Sequence, residues 1–173
     1  NTRSVAELII GLCVMLIRKI SDKNIAAHQG KWLKDAKGSF ELRGKTLGII
    51  GYGNIGSQVS NLAEAMGMQV NYFDIATKLP HGNAKQIRDL RDLLKRSDIV
   101  TLHVPSEAST RQMINADTLK AMKKGAILIN TARGALVDAQ ALAGALSNYS
   151  IAGAGIDVLE HEPPQAGSPL LAP

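Results

Sequence analysis

Short apolar runs alternate with helical stretches over residues 46–156, and this alternation predicts the fold. The runs are flush apolar segments, which is typical of strands covered by helices on both faces. A repeated strand–helix order predicts an α/β fold with a doubly wound parallel sheet and right-handed crossovers. We predict strands at 46–50, 69–73, 98–103, 126–130 and 152–156. The helices predicted between them are 55–66, 89–95, 116–122 and 139–147.

The chain before residue 46 is predicted to form one long helix and a connector. Ser4 and Glu7 have the spacing of a capping box, and apolar residues then occupy nearly every side of the helix. An apolar surface this wide indicates that the helix is buried on more than one face, in a core or against a partner. We therefore predict a long, dimer-packing helix over residues 1–30, a connector over 31–45 anchored by Trp32 and Phe40, and a sheet domain over 46–173.

The composition narrows the class of protein. The 173 residues are 45% hydrophobic and 20% charged, an ordinary globular balance that excludes a disordered or collagen-like chain. The single cysteine, Cys13, excludes an intrachain disulfide framework, argues against a structural zinc site and is expected to be inert in the core. The longest apolar run, residues 8–17, is shorter than the ~20 residues that span a bilayer. We predict no metal site, no membrane partner and a cytoplasmic location.

The net charge of +5 is unevenly spread, since residues 1–133 carry +9 and residues 134–173 carry −4. A basic surface can bind nucleic acid or attract small anions. Aromatic residues are only 3% of the chain, which leaves few stacking platforms for single strands. We therefore predict no nucleic-acid partner and a field that attracts an anionic cofactor and substrate.

The residues that directly follow the predicted strands are the candidates for a binding site. In doubly wound sheets, ligands bind outside the carboxyl ends of the strands. The residues at these positions are Gly51, Asp74, Val104, Pro105, Thr131, Ala132, Arg133 and Asp157.

A glycine-rich turn predicts a dinucleotide site. The run Gly51-Tyr52-Gly53-Asn54-Ile55-Gly56 is a G-x-G-x-x-G between a predicted strand and a predicted helix. Its three glycines suit, in order, a tight turn, a close approach to a pyrophosphate and tight helix packing. Asp74 lies 18 residues beyond Gly56, where a carboxylate can accept hydrogen bonds from both ribose hydroxyls and repel a 2′-phosphate. The pair predicts NAD as the cofactor in preference to NADP.

Two further segments are candidates for catalysis. Arg133 follows the strand 126–130, and a guanidinium there can hold a carboxylate bidentately and polarise the adjacent carbonyl. A structural ion pair is the alternative. Glu160, His161 and Glu162 follow the last predicted strand, where a carboxylate can orient a histidine and raise its pKa. A solvated acidic loop is the alternative for this segment.

Six stretches are spread over nearly the whole chain, from residue 1 to residue 164: NTRSVAEL, GIIGYGNIG, FDIATKLPHGNA, LHVPSEAST, INTARGALVD and GAGIDVLEHEPP. On these stretches the chain resembles the NAD-binding domain of the D-isomer-specific 2-hydroxyacid dehydrogenases. FDIATKLPHGNA is the narrower pointer, to the members that oxidise D-3-phosphoglycerate. The resemblance implies that the pyrophosphate contacts Asn54 and Ile55, the adenosine ribose Asp74, the adenine side Val104 and Pro105, and the nicotinamide half Thr131, Ala132 and Asp157.

The resemblance also implies the catalytic roles. Arg133 would bind and polarise the anionic 2-hydroxy acid, Glu162 would pair with the catalytic histidine, and Asn1 would lie near the substrate. The family's histidine lies in a P-H-I-G-G-like segment after one more strand, and none of the four histidines here fits it. We therefore expect a cofactor domain only, truncated before its last strand and inactive alone. Family members pair through this domain, so a homodimer is expected.

Three functions stay open. The leading one is oxidation of D-3-phosphoglycerate to 3-phosphohydroxypyruvate, in serine biosynthesis. A glyoxylate or hydroxypyruvate reductase is the second, although NADP-using members tend to lack an acid at the position of Asp74. A non-enzymatic, NAD-sensing corepressor is the third, because it shares the fold, and the presence of Arg133 and Glu162 does not decide the matter.

Overall fold

A six-stranded, all-parallel sheet forms the centre of the molecule in the computed structural model, which describes residues 2–171. Its strand order is β3-β2-β1-β4-β5-β6. The strands are β1 (Thr46–Ile50), β2 (Gln69–Phe73), β3 (Lys85–Gln86), β4 (Ile99–Leu102), β5 (Ala126–Asn130) and β6 (Ile151–Ile156). The α-helices are α1 (Thr2–Ile17), α2 (Ile20–His28), α3 (Asn54–Ala65), α4 (Leu90–Arg96), α5 (Ala116–Ala121) and α6 (Ala139–Ser147). Short 3₁₀ turns lie at Gly134–Leu136 and Pro169–Leu171.

Helices cover both faces of the sheet, which confirms the predicted doubly wound α/β fold. Alternate side chains of each central strand enter different cores. Ile127 and Ile129 of β5 pack on the face that carries α1 and α3, whereas Leu128 packs on the face of α4, α5 and α6. All five residues of β5 are buried, so the flush apolar run of this strand follows from its cover on both sides.

Five of the six strands lie where the apolar runs predict them, but β3 was missed. It consists only of Lys85–Gln86 at the edge of the sheet, where it pairs with Asn71 and Tyr72 of β2. Two polar residues give no hydrophobic signal. Strand β3 nevertheless brings the segment that follows β2 back alongside the sheet.

The predicted helix over residues 1–30 is wrong in one respect: it is two helices. Lys19 adopts a left-handed conformation with φ of 53° between α1 and α2. The carbonyl groups of Ile17 and Arg18 accept hydrogen bonds from Phe40 N (3.1 Å) and Ser39 Oγ (3.2 Å), so the connector takes acceptors that a continuous helix would use. The capping box is also wrong. Helix α1 already includes Thr2, so Ser4 lies inside it.

Residues 29–45 join α2 to β1 without helix or strand, but their predicted anchors are wrong. Trp32 is 82% exposed and Phe40 is 55% exposed. The buried residue of this segment is Leu42, at 5% exposure, which packs with the core under α1 and α3. Cys13 is buried as predicted, and burial raises the pKa of its thiol to about 12.

Candidate cofactor-binding site

The strand order reverses between β1 and β4, and in doubly wound sheets a ligand binds outside the carboxyl ends of the strands at such a reversal. The turn after β1 is fixed to both neighbours. Gly51 N donates to Phe73 O at 2.8 Å, and His103 N donates to Ile50 O at 2.7 Å. The glycine-rich turn, the end of β2 and the end of β4 therefore meet at one edge of the sheet.

The three glycines of the turn have different surroundings. Gly51 has a φ of +96°, and a Cβ there would lie 2.7 Å from His103 O. A Cβ on Gly56 would contact Gly51 O and lie 3.1 Å from Ile49 Cγ2. A Cβ on Gly53 would meet no atom of residues 2–171 within 4 Å. Gly51 and Gly56 are thus required by the protein's own packing, whereas the space beside Gly53 is open.

The N-terminus of α3 faces this open space. Gly53 is its N-cap, and no side chain among the described residues caps it. The first N–H groups of a helix lack intrahelical acceptors and carry a partial positive charge, which suits a phosphate. Asn54 is exposed and Ile55 is partly buried in this first turn.

Asp74 follows β2 beside the same turn. Its Oδ2 accepts the N–H of Tyr52 at 2.8 Å, and its Oδ1 accepts the N–H of Ala76 at 2.9 Å. The carboxylate makes no ion pair within residues 2–171. Each carboxylate oxygen can accept a second hydrogen bond, so the oriented group retains the capacity to hold two hydroxyls.

The turn after β5 is built around a buried amide. Asn130 is 1% exposed, its Oδ1 accepts Ala132 N at 3.1 Å, and its Nδ2 donates to Arg133 O at 2.9 Å. The Oγ1 of Thr131 is buried and has no hydrogen-bond partner in the described part of the chain. Since buried polar atoms are normally paired, this oxygen marks a place where a ligand can supply the partner.

Arg133 is exposed and forms no ion pair with any residue from 2 to 171. Its Nη1 donates to the neighbouring Ala132 O at 2.6 Å. The alternative prediction, a structural ion pair, therefore finds no support. The guanidinium is instead available for an anion at the edge where the strands end.

The loop after β6 lies against the Arg133 turn. A Cβ on Gly134 would collide with the backbone of Leu159 and Glu160, so only glycine permits this approach. Glu162 Oε1 accepts Leu159 N at 2.8 Å. Glu160 forms an ion pair with Arg111 at 2.5 Å, which ties this loop to the one after β4. The structure thus places Arg133 and Glu162 on adjacent segments.

Asp157 begins the loop after β6, and its N–H donates to Asn130 O at 3.0 Å.

The loop after β4 carries Val104, which is partly buried, and Pro105, which is exposed. His103 at its base is partly buried, its Nε2 lies 3.0 Å from Thr101 Oγ1, and burial lowers its pKa to about 4. This ring is therefore neutral at physiological pH. Asn1 lies outside the described residues.

Three residues of the site were missed by the sequence analysis: Tyr52, Asn130 and Gly134. Asn130 carried a signal, as a polar residue that ends a fully apolar strand. The roles of Tyr52 and Gly134 depend on contacts with residues far along the chain, which spacing alone does not reveal.

No group of three His, Cys, Asp or Glu side chains that suits a metal ion occurs within residues 2–171. No helix in that range is long and apolar enough to cross a membrane.

A family model described as the NAD-binding domain of D-isomer specific 2-hydroxyacid dehydrogenases matches residues 10–173. The chain belongs to this family of dehydrogenases. It is 52% identical to D-3-phosphoglycerate dehydrogenase of Escherichia coli K12 over 173 residues. That match covers 100% of this chain and 42% of the relative, so the chain spans less than half of the relative's length.

Solved structures agree with the assignment to the D-2-hydroxyacid dehydrogenase family. An NAD complex of a D-isomer specific 2-hydroxyacid dehydrogenase from Lactobacillus delbrueckii superposes with a TM-score of 0.87 at 37% identity, covering 98% of this chain and 55% of that one. An NAD complex of formate dehydrogenase from Staphylococcus aureus gives a TM-score of 0.92 at 32% identity, covering 98% and 51%. The cofactor predicted from the sequence, NAD, is thereby confirmed at the level of the domain.

The residues present fit this dinucleotide. Open space at Gly53 adjoins an uncapped helix N-terminus, which suits a pyrophosphate. Asp74 offers oriented acceptors at the end of β2, and the unpaired Thr131 Oγ1 lies at the end of β5. These groups are spread along one edge of the sheet, as an extended two-nucleotide ligand requires.

Proposed function

We propose that this chain is the NAD-binding domain of an enzyme that oxidises D-3-phosphoglycerate to 3-phosphohydroxypyruvate. The observation that carries the proposal is the meeting of the glycine-rich turn, Asp74 and an unpaired Arg133 at one sheet edge. The choice of substrate rests on the 52% identity to a D-3-phosphoglycerate dehydrogenase over all 173 residues. The reaction would belong to serine biosynthesis in the cytoplasm.

The proposed cofactor contacts follow the edge of the sheet. Gly51 and Gly56 shape the turn, and the N–H groups at Asn54 and Ile55 bind the pyrophosphate beside Gly53. Asp74 accepts the hydroxyls of the adenosine ribose. Val104 and Pro105 flank the adenine side. The nicotinamide half is lined by Thr131, Ala132 and Asp157.

When bound, NAD supplies the acceptor for the hydride that leaves C2 of the substrate. Arg133 binds the substrate carboxylate with its planar guanidinium and stabilises the carbonyl as it forms at C2. Its site is prepared by Asn130, which fixes the backbone at Ala132 N and at Arg133 O. Glu162 orients the histidine that takes the hydroxyl proton and keeps that histidine basic.

That histidine is proposed to lie outside residues 1–173. His103 does not suit the role, because it pairs with Thr101 and burial lowers its pKa to about 4. We therefore expect the 173-residue chain alone to bind NAD weakly and to turn over D-3-phosphoglycerate negligibly. Clear steady-state oxidation by the isolated chain would contradict this part of the proposal.

We also propose a homodimer that pairs through α1. Leu8 of this helix is 42% exposed, and Leu12, one turn further along the same side, is partly exposed. An apolar helix face of this kind is typical of subunit interfaces. A monomeric mass at micromolar concentration would count against the dimer.

The direct test is an assay of the longer protein that carries this domain. With NAD, we expect D-3-phosphoglycerate to support NADH formation at 340 nm far better than glycolate or D-glycerate. Arg133→Lys keeps the positive charge but loses the planar guanidinium that can bind a carboxylate bidentately. This variant should lower kcat/KM at least 100-fold. Preference for glycolate or D-glycerate would favour a glyoxylate or hydroxypyruvate reductase. NADH binding without activity on any of these acids would favour a corepressor.

A further inference from the structure

Tyr52 connects three parts of the cofactor site and is not explained by the glycine-rich turn itself. It is only 3% exposed. Its N–H donates to Asp74 Oδ2 at 2.8 Å, its hydroxyl donates to Ser60 Oγ at 3.1 Å, and the same hydroxyl accepts His81 N–H at 3.1 Å. A buried hydroxyl with both roles satisfied is specific for tyrosine, because phenylalanine would leave the buried Ser60 and the His81 N–H unpaired.

Tyr72 extends this connection to the segment that follows Asp74. The rings of Tyr52 and Tyr72 stack with centroids 4.0 Å apart, and Tyr72 is 1% exposed. Its hydroxyl donates to Lys78 O at 2.9 Å. Burial raises the pKa of Tyr72, so this hydroxyl remains a donor at physiological pH. The two tyrosines therefore hold residues 78 and 81 from beneath.

The segment over residues 75–83 is fixed at its ends as well. Gln86 Nε2 donates to Ala76 O at 3.1 Å, and Asn83 pairs with Val70 N (3.1 Å) and Met68 O (2.9 Å). Its outer surface carries two open apolar side chains, since Ile75 is 99% exposed and Leu79 is 87% exposed. This fixed backbone with its exposed apolar side chains directly follows Asp74, where the adenosine end of the ligand is proposed to lie.

The charges of this segment affect whether NAD or NADP is bound beside Asp74. Lys78 is the one lysine or arginine of this segment, and neither it nor His81 forms an ion pair with Asp74 within residues 2–171. No ion-pair partner among the described residues therefore offsets the repulsion between the Asp74 carboxylate and a 2′-phosphate. A looser segment would let Lys78 approach both the carboxylate and such a phosphate, and would weaken the discrimination.

We propose that Tyr52 is a positioning residue that maintains the preference of this site for NAD over NADP by holding residues 75–83 in place. The proposal rests on the cofactor site proposed above, with Asp74 as the ribose-binding carboxylate. It assigns a role in cofactor selection to a residue that lies between the glycines of the turn and is covered by the segment it holds.

The test compares Tyr52→Phe with Tyr149→Phe in the longer protein that carries this domain. Tyr52→Phe retains the stacked ring and the backbone N–H to Asp74, and removes only the hydroxyl. Tyr149 is 81% exposed, so its variant is a matched control for loss of a hydroxyl. The measured quantity is the ratio of the Kd for NADPH to the Kd for NADH, from fluorescence titrations.

We expect Tyr52→Phe to lower this ratio at least threefold, and Tyr149→Phe to leave it unchanged. Tyr72→Phe frees Lys78 O and should also lower the ratio, which keeps the test decisive if Tyr52→Phe folds poorly. Adding Lys78→Ala to Tyr52→Phe should restore the ratio. Equal weakening of both cofactors, with an unchanged ratio, would mean a purely structural role and overturn the proposal.

Asp74→Asn separates this inference from the site on which it rests. If the proposed site is right, Asp74→Asn should raise the Kd for NADH at least tenfold. If Asp74→Asn has no such effect, the cofactor site itself is wrong. If it has the effect but the ratio is unchanged in Tyr52→Phe and Tyr72→Phe, the site stands and only the role of Tyr52 is refuted.

Discussion

Gly53 and Gly56 belong to one motif, but their surroundings differ in a way that alanine substitutions can distinguish. Gly53 has an extended backbone with φ of −89°, and its Cβ would enter open space. Gly53→Ala should therefore change the free energy of unfolding by no more than about 0.5 kcal/mol, as for an exposed site. The new methyl would instead occupy the space proposed for the pyrophosphate.

Loss of one N–H contact to the phosphates sets the size of the binding effect. Hydrogen bonds to charged groups contribute about 1.5–3 kcal/mol each, and ~1.4 kcal/mol corresponds to a factor of ten in Kd. We expect Gly53→Ala to raise the Kd for NADH by about 10- to 100-fold.

Gly56→Ala is the matched control. Its Cβ would contact Gly51 O and lie 3.1 Å from Ile49 Cγ2, in a packed region without space to relax. Overpacking of this kind costs about 1–3 kcal/mol. A protein of this size loses about 2–4 °C in Tm per kcal/mol. We expect a fall in Tm of about 2–12 °C for Gly56→Ala and less than about 2 °C for Gly53→Ala.

Thermal unfolding by circular dichroism and titration with NADH measure the two effects on the same samples. We expect Gly53→Ala to lose affinity for NADH while keeping its Tm. This expectation would be refuted if Gly53→Ala bound NADH as tightly as the unmodified protein, or if it lost as much thermal stability as Gly56→Ala.

Three further predictions concern buried groups. Burial lowers the pKa of His103 to about 4 from its usual 6.5, so the folded state binds fewer protons than the unfolded state and loses stability as the pH falls from about 6.5 to 4. Urea titrations should show this loss, at most about 3 kcal/mol, and His103→Gln should diminish it. Cys13, with its pKa raised to about 12, should resist iodoacetamide at pH 8 until the protein is unfolded; rapid labelling of the folded protein would contradict its burial. Asn130→Ala leaves Ala132 N and Arg133 O unpaired and should cost about 1–3 kcal/mol in the same urea assay, and an unchanged urea midpoint would contradict its role.

The flush apolar strands made the fold predictable from the sequence. Strand β5 is an example, because burial on both faces demands five consecutive residues without exposed polar groups. Strand β3 was not predictable in this way, since Lys85–Gln86 pairs only through its backbone at the sheet edge. The break at Lys19 was also hidden, because it depends on hydrogen bonds from Ser39 and Phe40 about 20 residues later.

The candidate site also has residues that the sequence predicts and residues that it does not. Residues that follow strands, such as Asp74 and Arg133, could be found because the topology fixes where strand ends meet. Most of the residues that orient them could not, with the exception of Asn130 at the end of a flush apolar strand. Tyr52 acts through His81, which is 29 positions away, and Gly134 is needed because of Leu159 and Glu160. Such contacts depend on how loops from different strands pack, and the local spacing of residues in the sequence does not predict that packing.

We propose that the carboxyl edge of this sheet binds NAD and that Asp74 selects NAD over NADP. The most direct measurement is the Kd of NADH and of NADPH for the protein that carries this domain, with Asp74→Asn measured beside it. We expect tighter binding of NADH than of NADPH, and a loss of that preference in Asp74→Asn. Equal or tighter binding of NADPH by the unmodified protein would contradict it.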